Sequence, residues 1–332
     1  MRDPLDEAKL PAREASGAVL VGVGTYRSLP QLPCALNGIA DLRAAIGAPD
    51  GLFAPESVQS VADPESAAEV VDRVASAVDR YPDTVLFYFA GHGMRDNDGQ
   101  LCLALPWSLD KKSEAERTAL PVERIMAVLN GAKAKNRVVI LDCRYSGRAL
   151  RAPSAFNVHL LTASGQNEKP RTPADQRNTP FTGALLDLLR NGVPGAGRWL
   201  TLGDLYHWIG GAADDPTPHQ RTVDGSAALA LAPNRAERKD FPRRAELAIR
   251  MGWRDPARAA RLFADLVVDA ACRVEAKEEL LYRMSAASWL GAAGDPGGAL
   301  ARWEALRLDP AADSAEVEAN IAYWRERAGV GV

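Results

Sequence analysis

Residues 85–93 (VLFYFAGHG) and 137–147 (RVVILDCRYSG) share one layout: a short apolar run that ends in a turn bearing His92 in the first case and Cys143 in the second. Runs that are apolar without alternation are those of strands buried on both faces of a parallel sheet. Residues 18–24 (AVLVGVG) and 157–162 (NVHLLT) read the same way, residues 58–62 are a weaker strand, and residues 227–232 (AALALA) are placed to close the sheet. Helix-period segments lie between them at 39–46, 65–80, 122–129 and 182–190. Strand and helix in alternation predict an α/β fold with a doubly wound, mostly parallel sheet. The stretch 93–121 adds only residues 101–105 as a short strand, and 165–179 (GQNEKPRTPADQRNT) reads as a polar loop, long enough to be functional.

Open sheets of this kind gather their functional groups outside the carboxyl ends of adjacent strands. Phe89-Ala90-Gly91-His92-Gly93 puts an imidazole between two glycines that let the backbone turn sharply, and Leu141-Asp142-Cys143 puts a thiol at the next such end, fifty-one positions later. A cysteine nucleophile needs a neighbouring imidazole to activate it and backbone N–H groups to hold the tetrahedral oxyanion. His92, Cys143 and the N–H of Gly93 meet that list. Taken singly, a histidine is more often structural and a buried cysteine more often a small hydrophobe. Their joint placement at two strand ends favours the functional reading.

The pattern resembles the caspase and metacaspase superfamily, in particular bacterial caspase-domain proteins with helical carboxyl-terminal extensions. The resemblance covers residues 15–233. It rests on Gly24-Thr25-Tyr26 after the first strand, Asn37 with Asp41-Leu42, the F-A-G-H-G turn, the D-x-x-x-S-G turn from Asp142 to Gly147, and Thr162-Ala163-Ser164 followed by Phe181-Thr182-Gly183. It implies a caspase-like six-stranded sheet flanked by helices, and a cysteine endopeptidase that cleaves peptide or protein substrates after a charged residue through a Cys–His dyad, in bacterial signalling or in stress and defence. Asp41 and Glu168, in segments near the expected cleft, are the candidates for holding a basic substrate side chain; as single carboxylates they also read as solvated or capping groups.

One departure bears on the chemistry. Family members carry the nucleophile two residues before the serine of the turn, and here that position is Arg144, whose guanidinium neither attacks nor loses its proton. Cys143 stands one residue early, and one step along an extended strand turns a side chain to the opposite face. Three readings stand: an inactive pseudo-caspase that serves as a binding scaffold, a turn reshaped so that Cys143 faces His92, and an arginine that inactivates this particular chain. An exposed Cys143 would have its pKa lowered by the adjacent Arg144, which is the case for rescue. Asp142 is expected to hold the turn. His159, His207 and His219 lack partner patterns and read as structural or surface residues. Gly22-Val23-Gly24 lacks the third glycine of a dinucleotide fingerprint.

Composition bounds the rest. With 332 residues the chain fits about two domains. The expected division is a tail over 1–14, the α/β domain over 15–233 and a small all-α domain over 234–332. In that last region Asp255-Pro256 and Asp295-Pro296 each place an N-cap aspartate before a first-turn proline, and both begin the pattern D-P-x-x-A-x-x-x-aromatic that ends at Phe263 and Trp303. Two copies forty residues apart read either as a helical repeat or as a bundle packed on Trp253, Trp289, Trp303 and Trp324. The helices are a candidate surface for a protein partner. Forty basic against forty-three acidic side chains give a net charge of -3, with no chain-wide case for nucleic acid or anionic membrane. There is no apolar leader in residues 1–17 and no membrane-length apolar stretch. Cys34, Cys102, Cys143 and Cys272 are scattered without metal-ligand spacing, so neither a metal nor another cofactor is expected, and the reducing cytoplasm is the expected location. Heavy use of Ala, Arg, Gly and Pro matches GC-rich bacterial coding.

Overall fold

The structure is a computed structural model that describes residues 8–164, 176–193, 198–209, 218–236, 241–270 and 276–329. Its contacts divide the chain into two compact units, the first ending at Arg235 and the second running on from Ala236.

In the first unit, β1 (Ser16–Gly22) is buried along its whole length and leads into α1 (Pro33–Ile46), β2 (Val58–Ala62), α2 (Ala67–Arg80) and β3 (Thr84–Ala90). A three-stranded antiparallel insertion follows, made of β4 (Gly93–Arg95), β5 (Leu101–Leu103) and β6 (Leu120–Pro121), with α3 (Lys112–Thr118) inside it. The chain then re-enters the main sheet through α4 (Val122–Asn130), β7 (Asn136–Asp142) and β8 (His159–Thr162). It finishes with α5 (Pro180–Asn191), β9 (Trp199–Thr201), α6 (Leu202–Ile209), β10 (His219–Arg221) and β11 (Ala230–Pro233). The main sheet has six strands in the order β10-β8-β7-β3-β1-β2, parallel except for β10.

Alternation along the strands sends side chains to both faces. Val19, Val21, Phe87, Phe89, Val139 and Leu141 form one cluster with Val70 and Val74 of α2 and with Ile125 and Met126 of α4. The intervening row faces the other way, and Tyr88 reaches Thr182 of α5 with its hydroxyl. Because both faces are covered, the apolar runs are continuous, which is why they were legible as strands. β3 and β7 are parallel neighbours with Ala90 opposite Asp142, so the two turns leave the sheet at the same level.

Several expectations need correction. Residues 227–232 do not close the sheet: β11 pairs with β9 in a separate two-stranded sheet, and the edge belongs to β10. An edge strand needs no apolar run, and His219-Gln220-Arg221 is polar enough to pass for loop. Helix α1 starts at Pro33, six residues before the expected start, because proline suits the first helical turn whatever the apolar pattern. Helix α2 starts at Ala67 rather than at residue 65, where the Ser66 hydroxyl accepts the Glu69 N–H at 3.1 Å. Strand β8 begins at His159, after a 3-10 segment over Pro153–Asn157. Helix α3 leaves no apolar period in the sequence, since only Ala115 of its seven residues is buried.

The second unit consists, among the described residues, of α7 (Phe241–Gly252), α8 (Pro256–Ala270), α9 (Ala276–Ala292), α10 (Pro296–Leu306) and α11 (Ser314–Ala328), each packed on the next. Asp255 accepts the Arg258 N–H at 2.9 Å and Asp295 accepts the Gly298 N–H at 2.8 Å, which starts α8 and α10 where the two Asp-Pro pairs stand. Phe263 packs with Phe241, Leu266 and Tyr282, while Trp303 packs with Val317, Ile321 and Trp324. Trp253 is not a core residue: it is 72% exposed and meets Trp289 only edge-on, at 6.0 Å between ring centres. It sits past the end of α7, and the edge of Trp289 on α9 leaves most of its ring exposed.

Candidate active site

Beyond β3 the backbone turns through Gly91 and His92 into β4. The buried hydroxyl of Tyr26 accepts the His92 N–H at 2.9 Å, and the two rings lie 4.8 Å apart. His92 Nε2 lies 2.9 Å from the Pro30 carbonyl oxygen. A carbonyl only accepts, so Nε2 carries the proton and Nδ1 keeps a free lone pair. Burial, aided by the charge of Arg144, pushes the imidazole pKa below its usual value against the pull of the Pro30 bond, so His92 is neutral at neutral pH.

Gly93 is where the two turns touch. A Cβ there would stand 1.8 Å from the Arg144 carbonyl oxygen and 3.2 Å from Cys143 Sγ. Only a residue without a side chain permits this approach. The Ala104 N–H donates to the His92 carbonyl at 2.9 Å, and Gly93 is opposite Leu103 in the β4–β5 ladder. Bonded and unbonded pairs alternate in an antiparallel ladder, so the Gly93 N–H points away from β5.

Cys143 is 3% exposed and belongs to the apolar cluster beneath the sheet's end. Burial, together with the charge of Asp142, pushes its thiol well above the ordinary range, which keeps it protonated. Arg144 is exposed and, with His92, lines two adjoining recesses. After it, Tyr145 holds a left-handed conformation (φ 62°), and its ring lies under the Arg95 guanidinium. The turn is tied to the end of β8: Ser164 Oγ donates to the Cys143 carbonyl at 3.0 Å, Ser146 Oγ accepts the Ser164 N–H at 3.1 Å, and the Gly147 N–H donates to the Ser164 carbonyl at 2.9 Å.

Asp142, buried beside the first recess, accepts the hydroxyls of Thr179 and Thr182. Burial raises its pKa while these bonds oppose the rise. Thr179 also caps α5 by accepting the Thr182 N–H at 3.1 Å, so Asp142 anchors a helix to the strand end.

Asp41 lies on α1 and is not among the residues lining either recess. Arg177 holds it through two bonds of 2.9 Å, Asn178 donates at 3.1 Å, and Arg190 stands 3.6 Å away. The Arg177 bonds dominate and hold the carboxyl at about 2 against an opposing burial effect. A folded pKa below the unfolded value of about 3.9 stabilises the native state above that value, and this contribution is lost as pH falls through about 2. Asp41→Asn is therefore expected to remove part of the acid sensitivity between pH ~4 and ~2, read as a flatter dependence of urea midpoint on pH; an unchanged slope would discard the Asp41 clasp as a stabilising element.

Glu168 and Cys272 lie outside the described residues. His159 is buried, with Nδ1 2.8 Å from Ser226 Oγ, and burial pushes its pKa to about 4. It lines a different pocket from His92. Cys34, Cys102 and Cys143 are buried free thiols, and no three His, Cys, Asp or Glu side chains among the described residues are grouped to hold a metal ion. The structure thus brings together His92, Gly93, Cys143 and Arg144. Sequence reasoning missed Pro30 and Thr179 as cleft residues, which are loop positions without a chemical signature, and gave Asp142 only its turn-holding part.

A cleft built from two parallel strand ends, with His on one turn and the Cys-Arg pair on the next, is met by one family model: the caspase domain, which matches residues 16–196. The chain belongs to the caspase domain family. Caspase-1 from Spodoptera frugiperda is a similar solved structure, at 12% identity and a TM-score of 0.46, over 70% of this chain and 89% of that one. No curated protein matches the chain. As a caspase domain it places Arg144, and not a thiol, at the exposed position of the second turn.

Proposed function

We propose that this caspase domain binds peptide segments without cutting them. The observation that carries the reading is the exchange at the second turn: Arg144 faces the recess beside His92, while Cys143 is 3% exposed with its thiol held protonated. The cleft has the His92 turn, a Gly93 N–H that points away from β5 and the recess beside Asp142 with which to hold a peptide, and it presents Arg144 in place of an exposed nucleophile. Asp41 remains the candidate for a basic substrate side chain, and a substrate would have to displace the Arg177 guanidinium already on it. Under the same proposal the domain spans 15–233, the helices of 234–332 dock a protein partner, and the protein acts in bacterial cytoplasmic signalling or defence.

A second reading, cysteine endopeptidase through Cys143 and His92, has its own support: Cys143 lines the same recess as His92, and its sulfur lies directly against Gly93. One experiment separates the two. Iodoacetamide labelling resolved by peptide mass spectrometry is expected to modify Cys143 at least about a hundredfold more slowly than free cysteine at neutral pH, since each unit of raised pKa removes about tenfold of the thiolate. Blocked peptides with basic and acidic residues are expected to stay intact. Rapid labelling that depends on His92, with cleavage abolished by Cys143→Ala, would overturn the binding reading in favour of the peptidase.

A further inference from the structure

We infer that the second unit carries a docking groove for an acidic amphipathic helix of a partner protein, laid over α9 between α8 and α10. The inference gives the docking reading of the helices a surface and a ligand chemistry; it rests on that reading for the partner being a protein, and it uses no residue of the His92 cleft. Helices α8 and α10 each pack on α9, which makes α9 the middle of the three. Each turns one face to the same groove: Ala264 and Val268 on α8 and Arg302 and Leu306 on α10 stand four positions apart, and Arg283 and Ala286 on α9 stand three apart. Such spacing is a single stripe along a helix. Neighbours packed at about 8–10 Å put α8 and α10 up to about 16–20 Å from each other, and a helix about 10 Å across laid over α9 meets both walls.

The floor is made of small side chains. Ala286 is buried and Ala264 half-buried, and with Ala305 they let an incoming backbone come close, because the distance between packed helices follows the size of the side chains at the contact. Leu306 belongs to the apolar cluster of Trp303 and Trp324, and Ala286 to that of Phe263 and Tyr282, so the floor is held from beneath and needs no ordering when a partner arrives. Val268, 77% exposed, carries the apolar wall up to the rim. Charge then selects the occupant. The charged residues of the lining are the two arginines, with no carboxylate among them. Arg283 is oriented by Asp309 at 2.6 Å, whereas Arg302 is exposed and takes part in no ion pair among the described residues. Its guanidinium is left for a carboxylate from outside. A helix with an apolar stripe and acidic residues beside it meets both demands; a basic helix meets only the first.

The test uses the full chain and fluorescence anisotropy. The probe is a labelled peptide of about fifteen residues with leucines at helix-face spacing and glutamates beside them, both ends blocked; its comparisons carry lysine for glutamate, or the same residues in scrambled order. The acidic helix peptide is expected to bind at least about tenfold more tightly than either, and to weaken with added salt. Val268→Asp and Arg302→Glu, both at exposed positions, are each expected to weaken it at least about tenfold, while Leu281→Asp, exposed on α9 but outside the groove, is expected to leave it unchanged, with melting curves confirming that the variants fold. Equal binding of the acidic and lysine peptides, or of the scrambled one, would sink the proposal, as would no binding at all. Binding that survives both groove substitutions and falls with Arg144→Glu would seat the peptide in the cleft, which defeats the groove and leaves peptide binding by the caspase domain standing. Capture of phosphatidylcholine–phosphatidylglycerol vesicles in place of the peptide, lost with Val268→Asp and Arg302→Glu, would make this a membrane face and overturn the proposal together with the docking of a protein. Dimers in sedimentation velocity that both substitutions dissociate would give the groove to a second copy of the chain and overturn the partner assigned to it.

Discussion

Arg144→Cys is expected to give a thiol that iodoacetamide modifies at least about a hundredfold faster than Cys143 in the parent chain, and to create peptide cleavage where the parent shows none. The argument starts from exposure: position 144 is exposed in the recess, whereas Cys143 is 3% exposed. A solvent-facing thiol near its ordinary pKa is about 3% thiolate at pH 7, and each unit of burial-driven increase removes about another factor of ten. A second effect acts in the same direction. The guanidinium of Arg144 is one of the causes that depress the His92 pKa, so its removal makes the imidazole a better base beside the new thiol. Rates of modification at each cysteine, followed by mass spectrometry, and turnover of blocked peptides are the two readouts. If the introduced thiol reacts no faster than Cys143, exposure at position 144 is not what governs thiol reactivity in this cleft.

Gly93→Ala is expected to destabilise the first unit by about 3 kcal/mol or more, which corresponds to a fall in Tm of roughly 6–12 °C. The added Cβ would lie 1.8 Å from the Arg144 carbonyl oxygen and 2.9 Å from its carbon, and both are backbone atoms of the adjacent strand end. No rotamer change relieves that overlap, so β4 and the end of β7 must move apart. Gly91→Ala is a useful companion, because the nearest atoms to its Cβ belong to side chains, Phe89 Cζ and the Tyr26 hydroxyl at 2.8 Å and Phe89 Cε1 at 3.2 Å. It is expected to cost less. Equal melting temperatures for Gly93→Ala and the parent would mean that the two turns are not in backbone contact.

What the sequence made readable follows burial. Val85 to Phe89 and Val138 to Leu141 are apolar because helices cover both faces of the sheet, and that pattern survives in one dimension. His92 and Cys143 were locatable because they follow such runs. The polar edge strand β10 and the exposed helix α3 carry no comparable pattern, since neither needs apolar residues to form. The loop residues of the cleft were harder still: Pro30 contributes a carbonyl to His92, and any residue has one. The recess on the β4 side of His92 was invisible for a different reason. Arg95, Lys111, Lys112 and Arg144 are dispersed over fifty positions and meet only through the β4 insertion. The segment around Asp41 points to a specificity residue, and nothing local announces Arg177, which is 136 positions away.

The stitching of the second turn to the end of β8 makes the cleft a socket. The bonds that fix it run through the Cys143 carbonyl, the Ser146 and Ser164 hydroxyls and the Gly147 N–H, and none uses the side chain of residue 143 or 144. Shape and chemistry are therefore carried by different atoms at this point of the chain. Thiol, guanidinium or carboxylate can be exchanged at position 144 without touching these bonds, so a single replacement there changes the chemistry that the cleft presents and leaves its frame as it is.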